Sequence, residues 1–416
     1  METASPSIVL AYSDADRVVR EHASRIGPSG KTRETLPLLE TVGRVLAAPV
    51  VADRDQPPFP RSTRDGFACR ADDLSSGATL AVIGLLRAGE AWAGPAVERG
   101  QAVEIMTGAP VPPGADCVLM VEHAAVEGTQ MRPDRQLSPG ENIIPAGAEA
   151  RAGVTLVPAG TRIGPQHIAA AAACGYSALP VYPRPRVAIL ATGDELVPVD
   201  HQPLPWQIRN SNGYSIAAQV LEHGGKPVVF PIVPDDLATI EEAIHKALEC
   251  DLLILSGGVS MGKYDFVEQA LLKLGAEFFF TGVRIQPGRP VVFGHMPSQS
   301  STYRFFFGLP GNPVSTMVTF ALFAAPMIAA LSGENISAIG PPFAEAHLAG
   351  EIKGRPGLTR FLPAQVEGNA AHASVRTIPW QGSGDQTAAA RMNCFAVAPE
   401  ESGELQDGSP VRILLL

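Results

Sequence analysis

Cysteine is scarce in this sequence: 416 residues hold five, Cys69, Cys117, Cys174, Cys250 and Cys394, and no two share a C-x-x-C spacing. That pattern supports neither a disulfide-stapled scaffold nor a cysteine zinc site, and a reducing, cytoplasmic setting is the simplest reading. The nine histidines form no H-E-x-x-H, which removes that metalloprotease signature. Positive charge is also short, with 32 Lys and Arg against 42 Asp and Glu for a net charge of −10. A chain with no basic excess lacks the field that nonspecific nucleic-acid binding requires, so no nucleic-acid partner is expected. A local basic patch could still serve an anionic substrate. The N-terminus, METASPSIVLAYSDADR, has no basic segment followed by a long apolar run, so no signal peptide is expected. Only one apolar stretch, Val314–Leu331, approaches the length of a membrane span. It has no flanking Lys/Arg anchors and no companion span, and it contains Pro326. A buried helix of a globular domain is the expectation, with no membrane association.

What is present is apolar material for real cores, 45% hydrophobic residues against 18% charged, in a length that suits roughly two to four domains. Near the N-terminus the pattern predicts a helix from Ala15 to Ile26 capped by Ser13. Leu38, Leu39, Val42 and Leu46 predict a second over Glu34–Leu46. QPPFPRSTRDGFA is too proline-rich for a helix and reads as an ordered loop. From Thr79 to Ala150, short apolar runs (LAVIGLL, AVEIM, CVLMVE) separated by Gly/Pro turns predict a β-rich unit. A short alanine-rich helix over Gly160–Ala173 and a linker at Pro180, Pro183 and Pro185 follow. Residues 186–333 alternate strands (RVAIL, PVVFPIV, LLIL, FFFTGV, VVFG, RFFFG) with amphipathic helices. This is the pattern of a mostly parallel, doubly wound α/β domain. The last eighty or so residues return to short strands and turns, as in a small β-barrel. The fold class is therefore multidomain α/β plus β. Residues 1–60 with 146–182 are expected to form an elongated helical and linker unit. A β-rich domain is expected over 61–145, the α/β domain over 183–335 and the barrel over 336–416.

Ligands of open α/β sheets bind beyond the carboxyl ends of the strands. Three such ends deliver carboxylates: Asp194 and Glu195 after RVAIL, Asp235 and Asp236 after PVVFPIV, and Asp265 at the end of SGGVSMGKYD. Asp236 reads as a helix cap. The others, taken together, suit a hard divalent cation such as Mg²⁺, which relieves their mutual repulsion. SGGVSMGKYD also has the G-x-x-x-x-G-K spacing of a nucleotide-binding loop, but Tyr264 stands where a Ser or Thr hydroxyl would ligate the metal. What remains is a glycine-rich loop whose backbone N–H groups favour an anion, with Gly257, Gly258 and Ser260 as candidate contacts. GLPGNPVS offers a second anion site: Pro310 and Gly311 turn the chain, Asn312 can cap, Pro313 suits the first helical position and the Ser315 hydroxyl can face the same edge. In RIQPGRP, Arg284 and Arg289 are candidate phosphate contacts.

Read together, RETLPLLETVGRVLA, STRDGFA, EIMTGAPVPPGADCVLMVE, PAGTRIGPQHI, RVAILATGDEL, SGGVSMGKYDF, QPGRPVVFG, LPGNPVS and the ending GSGDQTAAARMNCFAV…LQDGSPVRILLL resemble the molybdopterin molybdenumtransferase family, which includes MoeA and the gephyrin E domain. The resemblance runs in order from about Arg33 to Leu416. TGDEL, SGGVS and PGNPVS also occur in relatives sharing the central domain alone, so DGFA and MTGAPVP carry the specificity. The family implies an elongated four-domain subunit and a homodimer whose active site lies between subunits. The reaction it implies is insertion of molybdate into adenylylated molybdopterin, with Mg²⁺-assisted release of AMP. Carried over by motif, Asp65 and Thr107 come from one subunit. Glu195, Asp235 and Asp265 come from the other, with Pro310 and Pro313 shaping the pocket. Glu195, Asp235 and Asp265 are the expected metal ligands. Molybdopterin adenylyltransferase and apo-molybdoenzymes are the expected partners.

The chain departs from the family pattern at three places. Ile144 and Glu149 stand where an arginine and an aspartate are common, Gln286 where a lysine is common, and Arg64 where methionine is usual. The first two changes remove positive charge, for which Arg64 or Arg289 could compensate. Two rival readings differ in what they need. A noncatalytic scaffold would tolerate loss of the carboxylates, yet Asp194, Glu195, Asp235 and Asp265 are all present. A molybdopterin adenylyltransferase needs only the central domain, whereas this chain has sequence on both sides of it.

Overall fold

The strand signals of residues 186–309 assemble into one six-stranded sheet. Its order is Lys226–Val229, Arg186–Ala191, Leu252–Ser256, Arg304–Leu309, Val292–Met296, Glu277–Phe280. The structure, a computed structural model, describes residues 8–26, 32–258, 266–297, 304–335, 341–369 and 372–416. The first four strands run parallel, and the last two turn antiparallel. Leu252–Ser256 and most of Arg304–Leu309 are buried, which is why they read as unbroken apolar runs rather than alternating ones. On one face lie the helices Tyr12–Ser24 and Ser211–Glu222 and the long apolar helix, around Phe293, Phe307, Phe320 and Phe323. The rings of Phe293 and Phe307 stack 4.6 Å apart. Leu237–Ala247 and Phe266–Lys273 cover the other face through Ile240, Ile244, Val267 and Leu271. The sheet is doubly wound, as its alternation implied.

The apolar stretch forms a continuous helical segment from Pro313 to Leu331. Length and composition alone would let it cross a membrane, yet 94% of it is buried inside the protein. It packs as a core helix, with a π-helical turn over Phe320–Ala324.

Two N-terminal expectations are corrected. The first helix spans Tyr12–Ser24 behind Ala11, and Ser13 lies within its first turn rather than capping it. Residues Glu34–Leu46 do not form a helix. Glu34–Pro37 is a strand antiparallel to Ala178–Val181, followed by one 3₁₀ turn at Leu38–Thr41. Pro37 cannot donate a helical hydrogen bond from its position, and Gly43, at φ 74°, reverses the chain. Val45 and Leu46 then bridge to Arg162 and Val181. With Val50–Val51, Thr155–Val157 and the predicted alanine-rich helix, now Pro165–Ala173, these residues share a separate core around Leu46, Val157 and Leu179. The first helix instead joins the central core through Ala15, Val19 and Ala23. A smaller correction concerns PVVFPIV, whose strand stops at Val229; beyond it only Val233 bridges, to Thr192.

The β-rich region is a six-stranded sheet in the order Cys117–Met120, Gly66–Cys69, Gln101–Ile105, Leu80–Leu86, Gln130–Pro133, Ala124–Glu127. Cys69 and Cys117 stand opposite one another with sulfurs 3.8 Å apart, and all five cysteines are free. Gly66 lies where a β-carbon would come 1.9 Å from the Leu119 carbonyl oxygen. Backbone atoms cannot move aside as a side chain can. Gly66→Ala is therefore expected to destabilise this sheet by on the order of 3 kcal/mol or more. Urea unfolding followed by far-UV circular dichroism measures the effect, and an unshifted midpoint would contradict the close approach.

The C-terminal region closes a five-stranded barrel. Thr359–Glu367 pairs with both Ser374–Thr377 and Cys394–Ala398, and the circuit runs through Phe343–Leu348 and Pro410–Leu415.

Candidate active site

Three strand ends, at Ala191, Ser256 and Leu309, open on a cleft of about 710 Å³. From the central domain it is lined by Thr192, Glu195, Ser256, Gly257, Gly311, Asn312 and Pro313. The loop and strand after Glu195 add Leu196, Val199, Pro203, Ile208 and Arg209, and the barrel side adds Gly384 and Gln386. This is the crevice beyond the carboxyl edge of the sheet where α/β proteins take ligands.

Glycine is required where the second strand end turns. Gly257 and Gly258 both have positive φ, 89° and 62°, and a β-carbon on Gly257 would stand 2.7 Å from the Thr192 carbonyl oxygen. Gly311 approaches so closely that its own β-carbon would lie 3.7 Å from the Gly257 α-carbon. The two glycine turns thus abut and leave backbone rather than side chains at this part of the cleft. Asn312 occupies the position before the helix, but its side chain does not cap it. Its amide donates to the Ser383 hydroxyl at 2.8 Å, and Ser383 also accepts the Val314 N–H through its carbonyl. The asparagine expected to cap therefore ties the central domain to the barrel.

The candidate residues separate into groups. Glu195, Gly257, Gly311, Asn312 and Pro313 line the cleft; Gly258, Pro310 and Ser315 do not. The Pro310 carbonyl accepts the Thr316 hydroxyl at 2.6 Å. Ser315 lies in the first turn of the helix and is buried. Ser260, Lys263 and Asp265 lie outside the described residues.

Asp235 sits beside the Asp194–Glu195 turn, and its N–H donates to Asp194 Oδ1 at 3.2 Å. Partial burial, then the charges of Asp194 and Glu195, push the Asp235 carboxyl above its ordinary range. Asp236 is the helix cap it was read to be: its Oδ2 accepts the Thr239 N–H at 2.9 Å and hydroxyl at 2.7 Å. Among the described residues no three His, Cys, Asp or Glu side chains converge as a ready metal cluster. The acidic turn offers oxygen donors only, a set that fits Mg²⁺ and not a soft metal.

Asp65 and Thr107, forty-two positions apart, are joined in the β-rich sheet region. Asp65 Oδ1 accepts the Thr107 N–H at 2.6 Å and its hydroxyl at 2.9 Å. The backbone bond, then the hydroxyl bond, hold the Asp65 carboxyl below its ordinary range. Neither residue lines the cleft of its own chain. Of the departures from the family pattern, Glu149 pairs with Arg61 at 2.8 Å, and Ile144 lies opposite Arg61 in a short strand pair.

Arg289 also lies away from the cleft. It lines a second pocket of about 460 Å³, with Arg284, Gln286 and Arg355, between the central domain and the barrel. Three arginines thus line it, with Glu400 4.0 Å from Arg284.

Reading the sequence missed Arg209, Asn210 and Asn212 in the cleft and Arg355 in the second pocket. The first three belong to the run R-N-S-N, which enters a helix at Ser211 with Asn210 as its cap, a cap signal whose outward neighbours could have been inspected.

Comparison with known proteins gives three adjoining matches. Residues 10–175 match the MoeA N-terminal region (domain I and II), 188–330 a probable molybdopterin binding domain, and 345–416 the MoeA C-terminal region (domain IV). The chain is 34% identical over 396 residues to the molybdopterin molybdenumtransferase of Bacillus subtilis, covering 92% of this chain and 90% of that protein. It is 38% identical over 310 residues to that of a Nostoc species, covering 73% and 71%. The crystal structure of a molybdopterin biosynthesis moeA protein from Pyrococcus horikoshii superposes with a TM-score of 0.78 at 28% identity, over 98% of this chain and all (100%) of that one.

Proposed function

Because this chain belongs to the MoeA family of molybdopterin molybdenumtransferases, we propose that it is the transferase that inserts molybdate into adenylylated molybdopterin, releasing AMP. The observation that carries this reading is the cleft, which is lined by two abutting glycine turns, at Gly257 and Gly311, and by Glu195. The fold alone would serve other functions. Reconstitution tests it: a cofactor-free molybdoenzyme, adenylylated molybdopterin, molybdate and this protein should together yield active enzyme. No activity above a mixture lacking this protein would overturn it.

In this mechanism the cleft binds and orients the adenylylated substrate. The turn at Gly311 offers backbone N–H groups to phosphate oxygens, whereas the Gly257 N–H is donated to the Leu309 carbonyl at 3.4 Å. Glu195 and Asp235, with Asp265, are the residues that would hold Mg²⁺, which when bound offsets phosphate charge. The Asp65–Thr107 pair of a second copy closes the site, so the working unit is a homodimer. The setting is the cytoplasm. An adenylyltransferase supplies the substrate, and apo-molybdoenzymes receive the product.

The second pocket is the better seat for molybdate, because a dianion is held by arginine side chains and three line this pocket. On this reading Arg289, Arg284 and Arg355 meet the oxyanion rather than the nucleotide. Arg355→Ala should raise the molybdate concentration for half-maximal activity by about 10-fold or more, the scale of one charge-assisted hydrogen bond. The affinity for AMP should be unchanged. Titration of both ligands separates the two sites, and a loss of AMP affinity alone would refute the assignment.

A further inference from the structure

Arg209 is the one cationic side chain among the described residues lining the cleft. It stands at the end of a short strand, Ile208–Arg209, that pairs with Leu196–Val197. The chain on either side of it is fixed. The Ile208 N–H donates to the Glu195 carbonyl and the Asn210 N–H to that of Val197. Asn210 is buried and caps the next helix by accepting the Gly213 N–H at 2.9 Å. Asn212 donates to the Ser256 hydroxyl at 3.2 Å and to the Gly311 carbonyl at 2.7 Å, tying the segment to both glycine turns. The guanidinium is itself oriented, since Nε donates to the His201 carbonyl at 3.2 Å. No carboxylate pairs with it among the described residues, so its two terminal nitrogens have no anionic partner there.

A further feature marks the same place as a binding surface. Beside Arg209, Ile208 and Val199 line the cleft yet remain 58% and 41% exposed. A flat aromatic ring would cover that apolar strip, while a phosphate one sugar away would meet the guanidinium.

Building on the function proposed above, we propose that Arg209 holds the phosphate at the nucleotide end of the substrate, while Val199 and Ile208 seat its base. Arg209 is then a substrate-contacting residue, and the Leu196–Arg209 segment is the nucleotide-recognition element.

Calorimetric titration of the full-length protein with AMP and with adenosine tests this. Arg209→Ala should weaken AMP binding by about 10- to 100-fold, the span of a charge-assisted phosphate contact, and leave adenosine binding unchanged. Arg209→Lys should recover only part of the loss, because lysine restores charge without the planar fork. Ile208→Ser should weaken AMP and adenosine alike. An Arg209→Ala protein that binds AMP as the wild type does overturns the proposal. So does one that loses AMP and adenosine equally, which would mark a structural role for the side chain. A wild-type protein that binds no AMP removes the underlying functional reading as well, and that result is seen before any substitution is made.

Discussion

Co-expressed with different tags and purified as a mixed dimer, an Asp65→Asn chain and an Asp235→Asn chain are expected to show about half the wild-type activity, although each variant alone retains on the order of 1% or less. The reason is positional. Asp65 is held by Thr107 in the β-rich sheet region, whereas the cleft draws its lining from the central domain and the barrel. If one chain supplies the Asp65–Thr107 pair and its partner the acidic turn, a mixed dimer has one site with both lesions and one with neither. A site completed within a single chain gives no rescue at all, because every site then carries a lesion. Assay of the mixed dimer beside both homodimers decides between the two arrangements. A mixed dimer no more active than its parents would sink the shared site.

Asp235→Asn alone should cost activity without costing stability. The carboxyl is raised by partial burial and by the neighbouring charges of Asp194 and Glu195, so its ionised form is disfavoured in the folded chain. Above that raised value the group is ionised in both folded and unfolded states, and the fold carries the penalty. Below the ordinary value of 3.8 it is protonated in both, and the penalty is gone. Asparagine removes the charge, so the variant should unfold at equal or slightly higher temperature than the wild type at neutral pH. The two should converge as the pH falls through the carboxylate range. The stability gain is small because Asp235 remains open to solvent. Activity should fall by about 100-fold, the scale of losing an electrostatic group at a reacting phosphate. Thermal melts at several pH values, with activity measured alongside, check both parts. Lower stability with full activity would show Asp235 to be structural.

The central sheet was legible because its strands are buried and contiguous in sequence, and each is followed by a helix with one apolar face. The strand-end rule located Glu195, Gly257 and Gly311 for the same reason: position along a parallel strand fixes which end a residue occupies. Glu34–Leu46 misled because its leucines recur at helical spacing, while the strand partner at Ala178–Val181 lies far away in sequence. Local periodicity carries no information about that pairing. Asn312 failed as a cap for a different reason. A cap signal specifies a backbone position, but whether the side chain turns back to the helix depends on a neighbour, here Ser383 from the barrel side. Arg209 and Arg355 were missed because an arginine's role depends on what surrounds it in space, and the R-N-S-N run looks like an ordinary helix entry.

The central core draws on both ends of the chain: Ala15, Val19 and Ala23 from the first helix, and Phe361, Phe395 and Leu414 from the barrel. This has a consequence during translation. The apolar segment Pro313–Leu331 leaves the ribosome before the last barrel residues that help cover it, Phe395 and Leu414, have been made. At usual elongation rates of about 5–20 residues per second, the remainder of the chain takes on the order of seconds to appear. For that interval the nascent chain presents a hydrophobic helix with an incomplete seat. Ribosomes stalled once Leu331 has cleared the exit tunnel should therefore display it to chaperones, and completion of the barrel should withdraw it.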